Sequence, residues 1–162
     1  MNLKENIPSY YSQIECNKIV DWINGSPERF SELMDIFFES NTRKNQYASG
    51  VMIHCIDRWG FLIIPYIEKL IVNLQNDGLH DAIKRNTVRV LQDVEIPENL
   101  HGITAEICFS YLKNPAEAVA IKVFSMTILH NLTKYYPELK DELHFILEEQ
   151  YPFQSAGFKS RA

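Results

Sequence analysis

A chain of 162 residues, 46% hydrophobic and 23% charged, can bury roughly two-thirds of the surface its unfolded form exposes, which excludes a wholly disordered protein. Sixteen basic and 21 acidic side chains leave a net charge of −5, which argues against a general affinity for nucleic-acid backbones. Met1–Asn6 lack the apolar core of a signal peptide, and the most apolar stretch, Phe61-Leu62-Ile63-Ile64, is broken by Pro65 and far too short to span a bilayer, so a cytoplasmic protein without a membrane partner is expected.

Glycine is scarce and no long run alternates polar with apolar residues, so strands are not expected. Helical periodicity recurs instead. A first helix over 11–24 is followed by Ser26-Pro27, an N-cap and a first-turn proline whose missing N–H costs nothing there. Phe30, Leu33, Met34, Phe37 and Phe38 then form one apolar stripe of a helix over 27–39. Helices over 42–59 and 65–76 come next, the second opened by Pro65 and stopped at Asn76-Asp77-Gly78. A third pair covers 79–94 and 98–113. A fourth covers 115–135, opened by Asn114-Pro115, and 137–150, opened by Pro137. Residues 1–152 read as one domain, and 153–162 as a C-terminal tail anchored by Phe153 or Phe158.

These pairs share a register of 37 to 38 residues. A step of 38 takes Ile83-Lys84 to Ile121-Lys122, Thr87 to Ser125, Val90-Leu91 to Ile128-Leu129 and Asp93 to Asn131. Backwards, Val90-Leu91 falls on Met52-Ile53, and Ile19 and Trp22 return 37 residues later as Ile56 and Trp59. Self-similarity at such a period marks stacked supersecondary units, none of which can bury its apolar stripes alone.

Asn114-Pro115-Ala116-Glu117-Ala118-Val119-Ala120-Ile121-Lys122 through Leu129, followed by Tyr136-Pro137-Glu138-Leu139, resembles a HEAT unit, and Asp81-Ala82-Ile83-Lys84-Arg85 resembles the basic pair of that unit's first helix. The resemblance covers nearly the whole chain. It implies an all-α fold, a right-handed α-α superhelix of about four hairpins. It also implies a non-catalytic scaffold that binds a protein or peptide through its second helices.

Candidate chemistry is sparse. The 38-residue step aligns Glu68, Glu106 and His144 on second helices, with Glu148 one turn beyond, and a ridge of these four would suit a basic or hydrogen-bond-donating partner. Trp22 and Trp59 repeat at the structural period and are expected to pack in the core. The five histidines include no pair four apart on one helix, so neither a metal nor another cofactor is expected, and surface or half-buried positions suit all five. Cys16, Cys55 and Cys108 lack CxxC spacing and read as reduced, packed thiols.

Two other readings stand beside the scaffold. The first is a nucleic-acid-associated protein of the DNA alkylation-repair glycosylase type. It would use Arg43, Lys44, Arg58, Lys84, Arg85 and Arg89, in a stretch (41–97) with seven basic and six acidic side chains, a balance of +1. The second, an enzyme of the fumarase and adenylosuccinate-lyase superfamily, lacks that family's signature loop and long helices. Self-association is open.

Overall fold

A computed structural model of the chain describes residues 1–39 and 42–162. Among these residues every regular element is helical and there is no strand, so the chain is all-α. It divides into two compact units, Met1–Asn86 and Thr87–Ala162.

The first unit holds α1 (Leu3–Asn6), α2 (Gln13–Ile23), α3 (Pro27–Phe37), α4 (Arg43–Arg58) and α5 (Ile67–Asn73), and the division between units falls inside α6 (Asp81–Leu91). Local chemistry sets most of the boundaries. Ser12, Ser26 and Thr42 each accept a hydrogen bond from the backbone N–H three residues on, at 3.1–3.3 Å, and Pro27 occupies the first turn of α3. Asn24 and Gly25, with φ of 44° and 74°, supply the left-handed turn that ends α2. Phe30, Leu33, Met34 and Phe37 are fully enclosed, while Phe38 is half-buried under the Lys69 ammonium, 4.5 Å from its ring centre. Each enclosed side chain of this size contributes roughly 1.5–3 kcal/mol of transfer free energy. Helix α1 was not foreseen. It rests on α3, buries Leu3, with Ile7 just beyond its end also buried, and brings Lys4 within 2.8 Å of Glu39.

Two prolines act differently from the expectation. Pro65 lies inside a 3-10 turn, Gly60–Tyr66, and α5 begins only at Ile67. Leu62 and Ile63 face the core from that turn. Pro115 lies in a loop, because the Asn114 side chain accepts the Ala116 N–H at 3.0 Å and closes a turn that competes with helix. Pro137, in contrast, stands immediately before its helix.

The second unit contains the last turn of α6, α7 (His101–Lys113), α8 (Val119–Leu132), α9 (Glu138–Gln150) and α10 (Ala156–Arg161). Helices α7, α9 and α10 all pack on α8. The residues after Pro152 fold back as α10: Phe158 is fully enclosed, Phe153 is 86% exposed, and Arg161 donates to Thr127 Oγ1 at 2.7 Å and to Gln92 Oε1 at 3.3 Å.

The register seen in the sequence reappears as burial and as bonding. Ile83 and Ile121, Thr87 and Ser125, and Met52-Ile53, Val90-Leu91 and Ile128-Leu129 are all buried. Counting back from Thr87 adds Ser49, so a small hydroxyl residue is wholly enclosed at this position in three successive repeats. Within the first unit Asn86 Nδ2 donates to Ser49 Oγ at 2.8 Å, and Arg58 reaches Asp21 at 3.1 Å, both across 37 residues. Within the second, Asn131 Nδ2 donates to the Gln92 carbonyl at 2.9 Å across 39 residues, and Gln150 Nε2 to the Leu112 carbonyl across 38. The period is therefore the step from one helix to its counterpart in the next layer.

A second-helix face and an unforeseen pocket

The two tryptophans close their first helices in similar settings, but neither belongs to the fully buried core. Both are half-buried, each beneath an arginine: Arg29 lies 5.1 Å from the Trp22 ring centre and Arg58 lies 4.4 Å from that of Trp59. Trp59 also fills the space over the turn after α2, where a Cβ on Gly25 would come within 3.1 Å of the indole. Glycine is required there on two counts, its positive φ and this close approach. The Trp59, Gly25, Arg58 and Asp21 cluster thus clips the end of α4 to the end of α2.

Each of the four aligned second-helix residues is exposed. Glu68 stands on α5 in the first unit, close in sequence to Phe61, Ile64 and Val72, which are 55%, 64% and 47% exposed. Phe61 and Ile64 stand one turn apart in the 3-10 turn, and Glu68 and Val72 one turn apart on α5. In the second unit Glu106 stands on α7 between the exposed Gly102 and Ser110, while His144 and Glu148 stand on α9. His144 Nε2 and Glu148 Oε1 meet at 3.0 Å, one helical turn apart. Phe145, beside them, is 61% exposed. The apolar members Phe61, Ile64 and Phe145 escaped the sequence reading, which searched only for charged and polar columns. Their signal was the apolar residue left over once each core stripe had been assigned.

The six central basic residues do not stand as one unengaged stripe. Arg58 is held by Asp21 and Trp59, and the Lys44 ammonium donates to the Lys4 carbonyl at 2.8 Å. Among the described residues no group of three or more His, Cys, Asp or Glu side chains could hold a metal. All three cysteines are free and buried, and burial pushes the Cys55 and Cys108 thiols up to about 12, which leaves both protonated at neutral pH.

The second unit also carries a pocket of about 240 Å³ where α6 and α8 end. Leu91, Ile128 and Leu132 back it from the core, each no more than 2% exposed, Asp93, Val94 and Glu95 come from the segment after α6, and Asn131, Lys134 and Tyr135 come from the end of α8 and just beyond. His101 lies at its base. This residue corrects the expectation of surface or half-buried histidines, being only 6% exposed. Its Nε2 is 2.8 Å from the Ile96 carbonyl, which can only accept, so Nε2 carries a proton and donates, while Nδ1 pairs with the Tyr136 hydroxyl at 3.2 Å. The rings of Tyr135 and Tyr136 flank it at 5.0 and 5.6 Å. With both nitrogens engaged, His101 clamps the pocket floor to the end of α8. No spacing rule announces that burial, because the partners come 35 residues later.

No helix among the described residues is long and apolar enough to cross a membrane. No curated protein and no solved structure matches the chain significantly. The family model described as the HEAT repeat domain, however, matches residues 3–160. With nearly the full length matched and helix pairs tied together at the repeat interval, the chain belongs to the HEAT repeat family.

Proposed function

We propose that this HEAT-repeat protein is a non-catalytic cytoplasmic scaffold that holds a protein or peptide on its second-helix face. The partner's chemistry is basic with apolar anchors. The observation that carries the reading is the company of the exposed glutamates: Phe61, Ile64 and Val72 with Glu68 on one unit, and Phe145 with His144 and Glu148 on the other. Large apolar side chains left in water beside carboxylates suit a segment that pairs Lys or Arg with aliphatic residues. Glu106 adds a further carboxylate to the second unit's face. The family supplies the scaffold, and these side chains supply the selectivity.

A photo-crosslinking amino acid placed at Glu106 or Phe145 in the native cell tests the reading. A discrete protein adduct is expected from both positions and none from Arg85 on α6. Charge reversal by Glu148→Lys is expected to lower the adduct yield about three- to tenfold. Equal adducts from Arg85, or adducts that a nuclease removes, would contradict the scaffold reading.

A further inference from the structure

The pocket at the ends of α6 and α8 uses none of Glu68, Glu106, His144 or Glu148, and its character can be read separately. Its volume, about 240 Å³, is below the roughly 300–1,000 Å³ of sites that enclose drug-sized ligands, so one extended side chain fits it better than a nucleotide or a folded metabolite. Half-buried Val94 and exposed Tyr135 supply the accessible apolar lining, against which an alkyl stem can lie.

Three features of the mouth favour a cation. Asp93 and Glu95 both line it and both are exposed, against the single ammonium of Lys134. Helices α6 and α8, 11 and 14 residues long, end there, so each presents the negative end of its dipole. Tyr135 offers a ring that is 58% exposed, a face on which a guanidinium or ammonium group stacks. Asn131 donates its amide N–H to the Gln92 carbonyl, leaving its side-chain oxygen as an acceptor, whereas Gln92 Oε1 already accepts from Arg161.

We propose that this pocket seats one cationic side chain, arginine or lysine, of a partner protein. The stem lies against Val94, and the charged head sits between Asp93, Glu95 and the Tyr135 ring. This goes beyond the second-helix reading, and the two can fail separately, since the crosslinks probe that face and a titration probes this pocket.

The test is a chemical-shift titration of the isotopically labelled full chain with a capped pentapeptide carrying a central arginine in a glycine background. A second peptide carries uncharged citrulline in its place. Saturable shifts are expected at the amides of Glu95, Asn131 and Tyr135 with the arginine peptide, and at least about fivefold weaker binding with citrulline. Asp93→Asn and Glu95→Gln are each expected to weaken the arginine peptide by about two- to fivefold, the range of partly exposed ion pairs, and Lys134→Gln to tighten it. All three positions are exposed, so the variants retain the fold, which a thermal melt verifies. Shifts that do not saturate, equal affinity for the citrulline peptide, or affinities unmoved by Asp93→Asn and Glu95→Gln would overturn the proposal.

Discussion

Phe30→Ala is expected to lower the unfolding free energy by about 3–5 kcal/mol, the range for deleting a fully packed aromatic ring. Phe30 has no exposed surface, and its ring meets Tyr66 edge-on, 5.7 Å between centres at 69°. Such an edge-to-face pair adds roughly 0.5–1.5 kcal/mol to simple burial. Tyr66 ends the 3-10 turn before α5, so this ring joins the second helix of one layer to that of the next. Set against a total stability of about 5–15 kcal/mol, the loss removes roughly a fifth of it or more. The melting temperature should fall by about 6–20 °C for a chain of this size, read by circular dichroism. A loss below about 1 kcal/mol would mean that Phe30 is not enclosed as described.

Lys122→Met is expected to move stability the other way, raising it by about 1–3 kcal/mol. The Lys122 side chain is 1% exposed, and its ammonium has a neutral hydrogen-bond acceptor, Gln150 Oε1, at 3.4 Å. Burial therefore holds its pKa below the ordinary 10.5, with the Glu117 carboxylate pulling in the opposite direction. Between that lowered value and 10.5 the unfolded chain binds more protons than the folded one, so the native chain gains stability as pH rises through this window. Below the window both states are fully protonated and the whole penalty is felt. Methionine keeps most of the volume and removes the charge, so the advantage of Lys122→Met should be largest at neutral pH and shrink as pH rises toward 10.5. Urea unfolding at neutral and alkaline pH measures both parts. A variant less stable than the parent at neutral pH would show that the ammonium is better solvated than its burial implies.

Lys122 also illustrates how far the sequence could be read. The 38-residue step pairs it with Lys84, which is only half-buried, so the equivalence located the helix position and not the environment. What encloses Lys122 is Gln150, at the end of α9, which also bonds the Leu112 carbonyl. Contacts of that separation leave no trace in local periodicity. The same applies to His101, hidden by two tyrosines that follow α8, and to Phe158, whose short helix lies against α8. Signals confined to one turn were legible: Ser26-Pro27 at the start of α3, the Phe30 to Phe37 stripe, and the turn at Gly78, whose φ is +75°. Pro65 and Pro115 show the limit of such rules, since proline permits a helix start without requiring one. The glutamate column was legible as a spacing, whereas its apolar neighbours were visible only once the core had been filled.

The 37–39-residue interval is the physical step between packed helices within each unit. Edited NOE spectra of the Asn86 and Asn131 side-chain amides measure it most directly, because each amide donates one repeat back, to Ser49 and to the Gln92 carbonyl. Cross-peaks from Asn86 to the Ser49 side chain and from Asn131 to Gln92 are expected. Cross-peaks confined to each asparagine's own helix would contradict the layered arrangement.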